Sequence, residues 1–409
     1  MLKIQPAGER RAGSGKLALA LAGGGPLGAF YELGALHALS EAIEGRELTE
    51  FDIYVGVSSG SLLAGSLANG FDTTAIGSSF IHDEATIPFS PDALLEPAVG
   101  EYLRRMARVP RSLAALARQF MREPLHGSWP SVVGSLSGMV PTALFDNRPL
   151  ERYLHEVFSS PGHSDRFGKL RSRLYVVATN LNTGESVAFG DSRHSHVPIS
   201  RAAIASAALP GLYPAVQIDG EHYVDGALIR TVHASLALEA GADLLICINP
   251  LVPYDASGGR GGQSRRNLAD QGLPAIMGQS LRALIHSRMH VGMASYGARF
   301  PRADVLLLEP DRHDERLFFA NVFRYTGRSR LVEHAYQRTR HDLLAQADRL
   351  SRVLGRHGLT LNRQRLRDRR RTFATAGQER AVRVRRTAQR LDHALHRLEA
   401  LLAHERPRA

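Results

Sequence analysis

The run Gly56-Val57-Ser58-Ser59-Gly60 places a serine between two glycines, where the apolar stretch Phe51 to Val57 gives way to the small residues of Ser61 to Ala68. A serine hydroxyl is a weak nucleophile until the backbone exposes it and a neighbour takes its proton. A Gly-x-Ser-x-Gly turn between a strand and a helix meets the first need. Gly56 and Gly60 remove side chains where backbones meet, and the following helix aims its N–H groups and positive dipole end at a developing oxyanion. Ser59 and Ser61 read as helix-start caps rather than nucleophiles.

The second need is a base. Asp225 stands in Tyr223-Val224-Asp225-Gly226-Ala227, just past a strand, with small residues after it. Histidine is the usual partner of serine and the chain has 18, but none has a recognisable context. His286 and His290 are four residues apart without the Glu of an HExxH motif, so no metal site is expected.

A second glycine turn, Gly23-Gly24-Gly25-Pro26-Leu27-Gly28, admits two chemistries. As Gly-x-Gly-x-x-Gly it matches a dinucleotide-binding fingerprint, with Glu47 or Asp52 at a distance suited to a ribose contact. As a glycine-lined loop, its N–H groups could hold an oxyanion. The serine turn favours the second, because a nucleotide-binding reading leaves that turn unexplained.

These turns need strands to end on and helices to begin. Leu17 to Ala22, Phe51 to Val57, Leu174 to Ala178, Leu244 to Ile248 and Val305 to Leu308 read as buried strands, and Glu185 to Phe189 as a further strand. Gln217–Asp219 and His222–Val224 flank Gly220-Glu221 as a hairpin. Ala29 to Ala42 predicts an amphipathic helix, and Arg148 to Phe158, Arg201 to Ala208 and Leu331 to Leu354 predict others. Buried strands alternating with helices imply an α/β fold with a mostly parallel sheet covered on both faces. The expected organisation is a polar N-terminal tail (1–15) and a domain over 16–350, with a helical insertion near 81–142 and a flexible loop near 254–272. A basic, Arg-rich helical extension completes it (351–409).

Composition narrows the function classes. The 409 residues are 44% hydrophobic and 22% charged, as in a globular protein. Cys247 is the single cysteine, which excludes an internal disulfide framework and any CxxC site, and its apolar surroundings make it a core residue. No run approaches a membrane span, and the polar N-terminus lacks a secretion signal's apolar core. These features predict a cytoplasmic protein. The net charge of +11 is concentrated from Leu361 onward, where 14 Arg face 5 acids. Val384, Ala388, Leu391, Leu395, Leu398 and Leu402 recur there at helical spacing, a basic amphipathic helix able to lie on an anionic membrane. Aromatic residues are nearly absent from that stretch, so no nucleic-acid partner is expected.

Taken in order, the glycine loop Gly23–Gly28, the turn Gly56–Gly60, and Phe145-Asp146-Asn147-Arg148-Pro149-Leu150 resemble the bacterial patatin-like phospholipases. So do Ala178 to Glu185, Ala205 to Pro214, Asp225-Gly226-Ala227 and Gly241-Ala242-Asp243. The resemblance covers about Leu17 to Pro250 and implies a three-layer patatin-like sandwich. It implies a serine acyl hydrolase acting on lipid esters without a cofactor, with Ser58 as nucleophile and Asp225 as its partner in a dyad. Gly23, Gly24 and Gly25 would form the oxyanion hole, with Gly56 and Gly60 supporting the turn. An apolar acyl site is expected from Leu209, Leu212, Tyr213 and the insertion. Calcium dependence is not expected, since no Asp-x-Asp-x-Asp-Gly loop occurs. Two residues depart from the family pattern: Leu27 replaces a usual basic residue, and Ala227 a usual glycine. The alternatives are a catalytically silent lipid-binding protein, for which Leu27 is the best support, and a conventional α/β-hydrolase with a later histidine.

Overall fold

A computed structural model describes residues 1–8, 15–81, 96–98, 143–229, 232–258, 268–318 and 325–375. Most of the expected insertion, part of the 254–272 loop and the amphipathic stretch Arg380 to Leu402 lie outside these described residues. In chain order the strands are β1 (Leu2–Gln5), β2 (Lys16–Leu21), β3 (Ile43–Glu44), β4 (Ile53–Val57), β5 (Arg173–Asn180), β6 (Ser186–Phe189), β7 (Val216–Ile218), β8 (Glu221–Asp225), β9 (Ala242–Ile248), β10 (Asp304–Leu308) and β11 (Thr360–Leu361). The described helices are α1 (Gly25–Ala42), α2 (Ser59–Ala68), α3 (Thr73–Ile81), α4 (Arg148–Phe158), α5 (Ile199–Ser206), α6 (Ala234–Glu239), α7 (Leu273–Arg299), α8 (Glu315–Phe318), α9 (Tyr325–Ala345), α10 (Ala347–Gly355) and α11 (Arg363–Arg367).

The apolar runs pair as a parallel core in the order β10-β9-β2-β4-β5. Side chains of a strand alternate between faces, and β2 shows the consequence. Leu17, Leu19 and Leu21 enter one core cluster with α1, α2, α4, α5 and α9. Ala18, Ala20 and Ala22 enter the other, where α6 and α7 pack. Helices therefore cover both faces of the sheet, making three layers. Cys247 is buried in the second cluster, and burial raises its thiol pKa far above the ordinary value.

Several expectations change. Residues 1–15 are not merely a tail: β1 pairs antiparallel with β10 at the sheet's edge, with Leu2 and Ile4 buried. Helix α1 is not amphipathic; it is buried around most of its circumference, Glu32 and His37 included, because it is enclosed by the sheet, α2 and α9. The Leu331 to Leu354 helix is two, broken at Gln346. A boundary at 350 cuts through packed structure. Leu350, Val353, Leu354, Leu359, Leu366 and Phe373 all join the main core, and β11 pairs with β3. The buried Arg340 guanidinium donates to the carbonyls of Arg365 (2.7 Å) and Asp368 (2.6 Å), and Arg371 pairs with Glu41. Arg340 of α9 and Arg371 of the basic extension thus hold that extension to the fold. Helix α7 has no counterpart in the sequence reading. Its solvent-facing positions include Leu273, Met277, Leu284 and Val291, so no polar face marks it as a surface helix.

Candidate active site

The site forms where strands end. Val176 and Val177 of β5 pair with β4 on one edge and with β6 on the other. Ala178 and Thr179 pair with β6 on that same second edge and with β8 on the first. Strands β4 and β8 therefore meet end to end along one edge of β5. Val57 faces Val177 and Asp225 faces Ala178, the next residue along. The sheet register alone brings Ser58, which follows Val57, to Asp225, although 167 positions separate them.

Ser58 has φ 51° and ψ −127°, a left-handed backbone that costs a non-glycine residue on the order of 1–3 kcal/mol. The turn is held by bonds on both sides. The Ser58 N–H donates to Ser206 Oγ (2.8 Å), and that hydroxyl donates to the Val177 carbonyl (2.5 Å). On the other side, the Ser61 N–H and Oγ donate to the Ser58 carbonyl at 2.9 and 2.6 Å. The expected capping roles of Ser59 and Ser61 are not seen: Ser61 Oγ serves as this donor, and Ser59 Oγ is buried without a hydrogen-bond partner among the described residues. A Cβ on Gly60 would stand 2.5 Å from the Ala22 carbonyl oxygen, and one on Gly56 2.5 Å from Ser61 Cα. Both glycines are needed for α2 to pack onto β2 and β4.

The Ser58 hydroxyl donates to Asp225 Oδ2 at 2.6 Å, and both residues are buried. Asp225 Oδ1 accepts from the Ala227 N–H at 2.8 Å, and Thr179 Oγ1 donates to the Asp225 carbonyl at 3.0 Å. Burial lifts the Asp225 pKa from its ordinary 3.8 to about 6, against the lowering effect of the Ser58 and Ala227 hydrogen bonds. The carboxylate is thus a stronger base than an exposed aspartate. Ala227 does not adopt positive φ, so alanine is accommodated after Asp225-Gly226.

The glycine loop sits directly against the serine. A Cβ on Gly23 would lie 2.9 Å from Ser58 Cβ and 3.0 Å from Ala227 Cβ. Gly24 caps α1, and Gly25 opens it at φ 59°. The N-termini of α1 and α2 therefore both lie beside Ser58, placing two positive dipole ends at one point. Leu27 occupies the first turn of α1, partly buried against the main core. Neither Glu47 nor Asp52 is directed to this loop. Asp52 pairs with Arg46 and accepts from the Leu17 N–H, and Glu47 and Glu50 form a capping box.

The Leu209 to Tyr213 block lies next to the aspartate, since the Asp225 N–H donates to the Ala208 carbonyl. Leu144 and Phe145 both donate backbone N–H groups to the Leu212 carbonyl, and the Phe145 and Tyr213 rings stand 6.2 Å apart. Leu144 and Leu212 are exposed, so the segment that bonds to the strand of Asp225 presents apolar surface. A 740 Å³ cavity is lined by charged residues including Asp146, Arg148, Glu151 and Arg201, and neither Ser58 nor Asp225 lines it. His286 and His290 are distant in role, paired with each other and with Glu309. Sequence reasoning overlooked Ser206 and Thr179, whose contacts arise only through the fold.

A family model described as patatin-like phospholipase matches residues 19–238, more than half of the chain, and spans the glycine loop, Ser58 and Asp225. The chain belongs to the patatin-like phospholipase family, whose members are lipid acyl hydrolases. Among solved structures it is similar to VipD from Legionella pneumophila, at 14% identity and TM-score 0.31, covering 87% of this chain and 82% of that one. It is also similar to the type III effector protein ExoU, at 16% identity and TM-score 0.29, covering 97% and 68%. ExoU in complex with SpcU from Pseudomonas aeruginosa matches at 14% identity and TM-score 0.25, covering 84% and 65%. The family assignment rests on the matched residues. Among the described residues, no helix is long and apolar enough to cross a membrane.

Proposed function

We propose that the protein hydrolyses fatty-acyl esters of phospholipids or related lipids through a Ser58–Asp225 dyad. The observation that carries this reading is the 2.6 Å hydrogen bond from the strained Ser58 hydroxyl to a buried carboxylate of raised pKa. Asp225 Oδ2 takes the hydroxyl proton as Ser58 Oγ attacks the ester carbonyl. Negative charge then develops on the carbonyl oxygen, against the backbone N–H groups of Gly23, Gly24 and Gly25. As the tetrahedral intermediate collapses, the Asp225 proton passes to the departing alcohol or lyso-lipid. Water then gives a proton to Asp225 and attacks the acyl-serine, releasing fatty acid and restoring Ser58. A histidine-based triad is unsupported because the serine hydroxyl already donates directly to the aspartate.

The test is to incubate wild type and Ser58→Ala with phospholipid vesicles and measure free fatty acid by mass spectrometry. Release by wild type alone is expected. Vesicle binding by both proteins with release by neither would replace this reading with that of a silent lipid-binding protein.

A further inference from the structure

We infer that His286, His290 and Glu309 form a binding site for a divalent transition metal of the zinc type. The sequence shows only two histidines four apart, without a third ligand. The fold supplies one: Glu309 follows directly on β10 and lies beside α7. Its side chain is 2% exposed, and its Oε1 is 3.6 Å from His286 Nε2. Residues i and i+4 of a helix share a face, and the two imidazoles of α7 bring their Nε2 atoms to 3.0 Å. One ligand atom from each residue falls within a 4.8 Å cluster. A tetrahedral ion with bonds of about 2.0–2.1 Å holds its ligand atoms about 3.3 Å apart, between the two separations seen here. Two histidines and one carboxylate, with water as a fourth ligand, form a donor set suited to Zn²⁺.

A cation already occupies part of this place. Lys3 Nζ lies 2.7 Å from Glu309 Oε2 and 3.3 Å from His290 Nε2. Its side chain is 44% exposed, so it can withdraw into solvent as the metal enters. Glu309 is also oriented from outside the ligand set, because Asn249 Nδ2 donates to its Oε1 at 2.9 Å. Such outer partners tune metal affinity. The next residue, Pro250, packs where a Cβ on Gly24 or Gly28 would fall, at 2.7 and 2.9 Å. The metal site thus adjoins the segment that backs the glycine loop, while sharing no residue with the dyad.

The test titrates chelator-stripped, full-length protein with Co²⁺, whose visible absorption reports four-coordinate binding, followed by displacement with Zn²⁺. One equivalent is expected to bind in wild type, with loss of the signal in His286→Ala and in His290→Ala. Lys3→Met should bind more tightly, since the competing ammonium is gone. Asn249→Ala should weaken binding by about 10–100-fold. Absence of the signal in both wild type and Lys3→Met overturns the site, as does a signal that survives His286→Ala. If a histidine variant fails to fold, as judged by circular dichroism without metal, Glu309→Gln decides. Its amide keeps the shape of the side chain, and retained one-equivalent binding overturns the proposal.

Discussion

Replacing Asp225 by asparagine should inactivate the protein and at the same time stabilise it. The carboxyl is buried and its pKa is raised from 3.8 to about 6. A folded pKa above the unfolded one means that the folded state binds the proton more tightly. Stability associated with this group is therefore complete below about pH 4 and lost as pH rises through about 6. At 1.36 kcal/mol per pH unit, ionised Asp225 costs the fold about 3 kcal/mol at pH 8. Asparagine carries no charge and can satisfy the same partners. Its Oδ1 can accept from the Ala227 N–H, and its Nδ2 can donate to Ser58 Oγ, in place of the contacts now made at 2.8 and 2.6 Å. Urea unfolding of wild type and Asp225→Asn at about pH 4.5 and pH 8 measures the difference. The variant should gain up to about 3 kcal/mol at pH 8 and much less at pH 4.5. Fatty-acid release should fall to the level of Ser58→Ala, while wild-type release should rise with pH through about 6. A variant no more stable than wild type at pH 8 would refute the assigned burial cost and the raised pKa with it.

Three further substitutions probe the scaffold. Ser206→Ala leaves the buried Ser58 N–H and Val177 carbonyl without the bridging hydroxyl; the expected cost is roughly 2–4 kcal/mol in unfolding experiments, with kcat falling while KM is nearly kept. A Ser206→Ala enzyme with unchanged kcat would remove that residue from the positioning role. Gly60→Ala forces a methyl to within 2.5 Å of the Ala22 carbonyl oxygen, so a clear fall in Tm or in soluble yield is expected. Among the described residues Gly25→Ala meets no atom within 4 Å and pays only for its φ of 59°, about 1 kcal/mol, so its Tm should change far less than that of Gly60→Ala.

Much of the local design was legible in the chain. The alternating Leu-Ala residues of β2, the glycines around Ser58 and the hairpin before Asp225 carry their structural consequences in residue type and spacing. Size, apolar periodicity and the need for a Cβ-free position are local properties. The hairpin was as local, but its turn falls one residue earlier than Gly220-Glu221: Ile218 pairs with Glu221, and Asp219 and Gly220 between them both take positive φ, as a type I′ turn requires. The same locality explains the misses. Helix α7 escaped notice because Ile276, Met277, Leu284 and Val291 stand among the polar residues of its exposed side and blur its periodicity, and β1 because a four-residue edge strand has little pattern to read. The continuous packing of Leu350 through Phe373 against α1 and α9 was hidden behind a run of arginines, several of which bond to the fold.

By itself, the sequence determined a parallel α/β scaffold, two glycine-lined turns and the residue types available for acyl chemistry. The tertiary structure decided which of those residues meet. It joined Ser58 to Asp225 by abutting β4 and β8 on one edge of β5, enlisted Ser206 to hold the strained turn, and buried the carboxyl deeply enough to raise its pKa. It also set Glu309 beside the two histidines of α7. Contacts between residues far apart in the chain, and the exclusion of water around them, depend on strand register and helix packing, which spacing along the sequence does not encode.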